Sequence, residues 1–81
     1  MRVRVLLFAI LRDRAGVSEL PLDLPEGATV AAAAEAVMGR FPELRGATRS
    51  LAYALNRAYC RPDAVLKDAD EVALLPPVSG G

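Results

Sequence analysis

Lys67-Asp68-Ala69-Asp70-Glu71-Val72-Ala73-Leu74-Leu75-Pro76-Pro77-Val78-Ser79-Gly80-Gly81 closes the chain, and the way it divides decides the fold. Lys67 to Asp70 is small and charged, which is turn composition. Glu71 to Leu75 alternates as a strand, with Val72 and Leu74 on one face and Glu71, Ala73 and Leu75 on the other. Pro76 and Pro77 have no backbone donor, so strand pairing stops there. Val78-Ser79-Gly80-Gly81 is then expected to be an extended, mobile tail. The division gives a folded domain over 1–75 and a tail over 76–81.

The same alternation recurs upstream. Residues 2–11 read as a strand, with Val3, Val5, Leu7 and Ala9 on the core face and Arg2, Arg4, Leu6, Phe8 and Ile10 on the other. Arg12 to Val17, which contains Gly16, is expected to be a turn. Ser18 to Leu24 alternates again, and Pro21 assigns that strand to a sheet edge. After Pro25-Glu26-Gly27, Thr29 suits the N-cap of a helix over Val30–Arg40. Its apolar positions 30, 34, 37, 38 and 41 form one stripe, and Phe41-Pro42 ends it. Glu43 to Ser50 reads as a polar connection. Leu51 to Asn56 is a further strand, Asn56-Arg57 begins a tight turn, and Tyr59-Cys60 is a short return strand. One helix covers only one face of a sheet. The expected architecture is therefore two-layered α+β, about five strands on one main helix. The opposite face is left to solvent or to another molecule.

Composition narrows the chemistry. The 81 residues carry ten Lys plus Arg against ten Asp plus Glu, a formal charge of zero. A nucleic-acid partner is not expected, because that needs a basic surplus to displace counterions. With no histidine and a single cysteine, Cys60, the chain lacks His-based acid/base chemistry, a Cys-His dyad and a zinc ligand set. A lone thiol fits a reducing compartment, so a cytoplasmic protein is expected. The longest apolar run, Val5 to Leu11, is too short to span a bilayer, and no membrane partner is expected. Arg2 and Arg4 precede that run, but no small-residue cleavage site follows it, so a signal peptide is not expected. Cys60 reads as inert packing. Asp68, Asp70 and Glu71 read as turn charges, and no metal site is expected.

The terminal Gly80-Gly81 leaves two readings. One is a terminus without function. The other is a tail whose missing Cβ atoms let it thread a narrow channel and present its α-carboxylate to another enzyme. A carboxylate becomes a good acyl donor once adenylated with ATP. Chemistry at the terminus itself would need no catalytic side chain on this chain.

Leu66 to Gly81, above all Leu75-Pro76-Pro77-Val78-Ser79-Gly80-Gly81, resembles the small subunit of molybdopterin synthase, a branch of the ubiquitin-like β-grasp sulfur carriers. Val3 to Ala9 and Tyr53-Ala54-Leu55-Asn56 fall where that family has its first and third strands, and Ala69 stands where the family usually has Gly. The resemblance implies a ubiquitin-like β-grasp with a mixed sheet. It also implies that an E1-like adenylating enzyme consumes ATP to adenylate Gly81, and that a sulfur donor protein then converts it to a thiocarboxylate. The tail, Pro76 to Gly80, would carry it into the synthase large subunit. There the sulfur would pass to cyclic pyranopterin monophosphate, within a heterotetramer whose catalytic residues lie on the large subunit. No permanently bound cofactor is implied.

The residues themselves suggest a docking face. Leu6, Phe8, Ile10 and Leu75 share the face opposite the helix if the first and last strands are neighbours, with Tyr59 near them. A loop folded over that face, or scattered surface apolar residues, would explain them as well. Other functions remain open: a thiamine-pathway sulfur carrier, a ubiquitin-like modifier joined to lysines, or a plain interaction module.

Overall fold

The computed structural model describes residues 1–77; the expected extended tail, Val78 to Gly81, lies outside the described residues. Five strands form one sheet: β1 (Arg2–Leu7), β2 (Glu19–Asp23), β3 (Ala52–Leu55), β4 (Ala58–Cys60) and β5 (Glu71–Leu75). Their order is β2-β1-β5-β3-β4. β1 and β5 run parallel at the centre, pairing Val5 with Val72 and Leu7 with Leu74, and the outer pairings are antiparallel. The sheet is mixed, and Pro21 sits on the edge strand β2, where no inner ladder needs its missing donor.

Strand alternation puts Val3, Val5, Leu7, Leu20, Leu22, Val72 and Leu74 into the core. The main helix, α2 (Val30–Arg40), meets them with Val30, Ala33, Ala34, Val37 and Met38. Its start is fixed by Thr29, whose hydroxyl accepts the Ala32 N–H at 3.2 Å. Its end comes at Phe41, before Pro42.

Two expectations change. The first strand stops at Leu7, and a second helix, α1 (Ala9–Ala15), replaces the expected strand end and turn. Leu7 and Leu11 are both buried, so the run Leu6 to Leu11 serves helical spacing as readily as alternation. The tie is broken by the neighbours. β5 ends at Leu75 before Pro76, and the β2 pairing begins at Glu19 opposite Leu6, so a longer β1 has nothing to pair with. The helix satisfies those backbone groups internally and closes at Gly16, with φ 78°. Ala9, expected in the core, is exposed. Second, the polar connection after α2 contains a 3₁₀ turn, Pro42–Leu44, which buries Leu44.

The β3–β4 hairpin turns through Asn56 and Arg57, both at positive φ, the geometry that matches strand twist. Asn56 also ties this hairpin to the turn before β5. Its amide donates to Asp70 at 3.0 Å, and its carbonyl accepts the Glu71 N–H at 2.9 Å. Ala69, in that turn, is held at φ 71° while its N–H donates to the Arg2 carbonyl at 2.8 Å. An L-residue in the left-handed region is strained, and glycine is not. Ala69→Gly is therefore expected to raise stability by about 0.5–1 kcal/mol after its unfolded-state entropy is counted. A higher urea midpoint at unchanged slope is the readout, and a lower midpoint would contradict the strain. Among the described residues no helix is long and apolar enough to cross a membrane.

Candidate functional site

With α2 on one side, the other side of the sheet leaves Arg4, Glu19, Ala52 and Tyr59 exposed, while Ala54 and Ala73 between them are buried. Register builds it in rows. Leu6 pairs with Ala73, Ala73 with Ala54 and Ala54 with Tyr59, while Leu75 pairs with Ala52 in the next row. Small residues floor this surface and large ones rim it.

The rim closes where β5 ends. Phe8, Ile10, Tyr59, Leu75, Pro76 and Pro77 line a groove of roughly 650 Å³, with Ala9 and Ala52 completing it. Phe8 is 40% exposed and Tyr59 83%, large apolar surface left in water. The structure thus brings Phe8, Ile10, Tyr59 and Leu75 together. Ile10 arrives from α1 rather than from a strand face as expected, because β1 ends at Leu7 and Phe8 caps the helix that follows. Leu6 lies one row inward, half-buried, and does not line the groove. Ala52 was missed in the sequence, since a lone alanine carries no signal. Pro76 and Pro77 stand at the rim as the last described residues, so the chain leaves for Val78–Gly81 from the groove itself.

The opposite end of this face is polar and self-neutralised. Arg4 lies 3.8 Å from Glu19 and hydrogen-bonds Glu71, and Glu71 lies 3.7 Å from Arg57. The acidic residues before β5 hold the turn. Asp68 accepts the Arg2 N–H and Asp70 the Lys67 N–H, each at 2.8 Å. Among the described residues no His, Cys, Asp and Glu side chains group as a metal site. Partial burial pushes the Cys60 thiol up, so it stays protonated at neutral pH and is a poor nucleophile.

The ThiS family profile matches residues 5–81, spanning the central strands, the groove and the tail. The chain belongs to the ThiS family. Among relatives, the molybdopterin synthase sulfur carrier subunit of Chlamydomonas reinhardtii is 40% identical over 83 residues and covered in full on both sides. The same-named subunit of Arabidopsis thaliana is 36% identical over 81 residues, all of this chain and 84% of that protein. Among solved structures, SAMP1 of Haloferax volcanii aligns over the whole of both chains with a TM-score of 0.90 at 29% identity. One chain of the complex of subunits 1 and 2 of the Helicobacter pylori molybdopterin-converting factor aligns equally completely, at 0.68 and 27%. The ThiS-family fold of this chain is the ubiquitin-like β-grasp, a five-stranded mixed sheet on one main helix with the short α1 added.

Proposed function

We propose that this chain is the sulfur carrier subunit of a molybdopterin synthase. One observation supports this above the others: β5 runs directly into Pro76-Pro77 at the rim of the apolar groove, so a protein seated there receives the last residues of the chain. The names of the 36–40% identical relatives point the same way. In this reading an E1-like adenylating enzyme binds the groove, and the Gly81 carboxylate attacks the α-phosphate of ATP, releasing pyrophosphate. Sulfide from a sulfur donor protein attacks the acyl carbon, and AMP leaves a thiocarboxylate. The tail, Pro76 through Gly80, then enters the large subunit. Its thiocarboxylate gives sulfur to cyclic pyranopterin monophosphate there, in a heterotetramer whose catalytic side chains belong to that subunit. The carrier holds no cofactor of its own; ATP is consumed by the activating enzyme. The cytoplasm is the proposed workplace.

The docking surface comprises Phe8, Ile10, Leu75 and Tyr59 around the groove, with Leu6 beside it. Phe8→Asp and Leu75→Asp are each expected to weaken large-subunit binding by about 1–3 kcal/mol, through loss of a desolvated apolar contact. Titration calorimetry reads this, and unchanged affinity in both variants would contradict the surface. The function itself is tested by mixing thiocarboxylated carrier, large subunit and cyclic pyranopterin monophosphate and following molybdopterin formation. One molybdopterin formed for every two thiocarboxylates consumed supports the reading, since the dithiolene holds two sulfurs, and none with a competent large subunit opposes it. A second reading, a protein modifier, draws on the likeness to structures described as small archaeal modifier protein 1. It calls for isopeptide conjugates in cell extracts.

A further inference from the structure

Between α2, the connection that follows it and β3 lies a second cavity, roughly 340 Å³, which the proposed carrier cycle does not use. Leu51 and Tyr53 line it, while Ala52 between them lines the groove. The two sites therefore lie on opposite faces of the sheet. Met38 and Leu44, both buried, complete the apolar wall of this cavity. Arg45, Thr48, Arg49 and Ser50 supply its polar wall.

That polar wall is held locally. Leu44 to Ala47 is a tight turn, closed by the Ala47 N–H donating to the Leu44 carbonyl at 3.1 Å. Arg45 at φ −65° and ψ 129°, followed by Gly46 at φ 77°, has the type II geometry that calls for glycine there. Arg45 donates to Glu35 of α2 at 3.0 Å, leaving most of its five N–H groups unused. The Thr48 hydroxyl donates to the Ser50 carbonyl at 3.0 Å. The side chains of Arg49, Ser50 and Tyr53 make no hydrogen bond among the described residues. Arg14, Arg40, Arg49 and Lys67 are the basic side chains without an ion pair among the described residues, and of these Arg49 alone lines the cavity. Glu35, the carboxylate that lines it, is already engaged by Arg45. The cavity is thus rich in donors and short of acceptors.

We propose that this cavity binds a small aromatic oxyanion, a carboxylate or a phosphate monoester carried on one ring. Arg49 and the spare N–H groups of Arg45 suit two anionic oxygens, because a guanidinium presents its donors as a planar fork. The ring lies against Tyr53, Leu51 and Met38, where stacking and apolar burial add to the charge attraction. A bare oxyanion would leave the apolar wall wet, and an uncharged ring would cover Arg49 without pairing it. The volume stands at the low end for ligand cavities and fits a single ring with its charged group. The inference stands apart from the carrier reading, since it needs neither the groove nor the tail.

The test titrates the full chain with benzoate, phenyl phosphate, benzyl alcohol and inorganic phosphate at fixed ionic strength, followed by amide NMR. Saturable shifts are expected with benzoate or phenyl phosphate, confined to Glu35, Met38 and residues 44–53. Whichever of the two binds more tightly tells a carboxylate ligand from a phosphate monoester. Arg49→Gln, an exposed position, should leave the remaining spectrum unchanged and weaken binding about tenfold, the loss of a charge-assisted hydrogen bond. Arg14→Gln, which removes an equally unpaired arginine outside the cavity, should leave affinity unaltered. No saturation, shifts centred on Phe8 and Leu75, or an Arg49→Gln affinity equal to that of the original chain would each overturn the inference. So would an equal loss in Arg14→Gln, or benzyl alcohol or inorganic phosphate binding as tightly as the aromatic anions.

Discussion

Deleting Gly81 is expected to abolish sulfur loading altogether while leaving the unfolding midpoint where it was. The acceptor of AMP and sulfur in the proposed cycle is the terminal carboxylate. A chain ending at Gly80 presents a carboxylate one residue short, about 3.5 Å from where the activating site needs it. Misplacement on that scale costs orders of magnitude in rate, because reacting atoms must be held in near-attack geometry. Stability should not follow, because the buried core among the described residues ends at Leu74. Pyrophosphate exchange, sulfur incorporation and thermal unfolding measured on both chains check the separation. A truncated chain that still loads sulfur would remove the terminus from the chemistry.

Leu74→Ala is expected to do the reverse. Leu74 is fully buried on a central strand, paired with Leu7 on one side and Tyr53 on the other. Truncating such a leucine costs about 2–5 kcal/mol through lost transfer energy and the cavity left behind. A chain of this size is stable by only about 4–12 kcal/mol. The melting point should drop by more than about 10 °C. Leu75, the next residue, faces the groove and is half-buried, so Leu75→Ala should cost well under half as much. Adjacent residues thus divide between stability and docking because a strand sends them to opposite faces. Denaturant titration of both variants checks it, and equal losses would contradict the assignment of faces.

That alternation is why most of the fold was legible in the sequence. β5, α2 with its Thr29 cap, the edge strand marked by Pro21 and the Asn56-Arg57 hairpin each carry a local signal. Residues 8–15 do not. Leu6 to Leu11 is apolar throughout, and only the lengths of β5 and β2, which are tertiary facts, decide where strand gives way to helix. The buried Leu44 was hidden for a related reason, as a single leucine in a polar stretch. The site was legible in part. Phe8, Leu75 and Tyr59 declare themselves as large apolar residues expected opposite the helix, whereas the part played by Ile10 depends on α1, and Ala52 matters only through register. The Arg4–Glu71–Arg57 bridge, which makes the far end of the face polar, pairs residues far apart in sequence and could not be read locally.

The central claim is that this chain carries sulfur on its last residue. Its most direct test is the intact mass of the full chain after incubation with its adenylating enzyme, ATP and sulfide. The account predicts a species heavier by about 16 Da, one oxygen exchanged for sulfur, located in the C-terminal peptide. An unchanged mass, with an enzyme shown to activate its substrate, would contradict it.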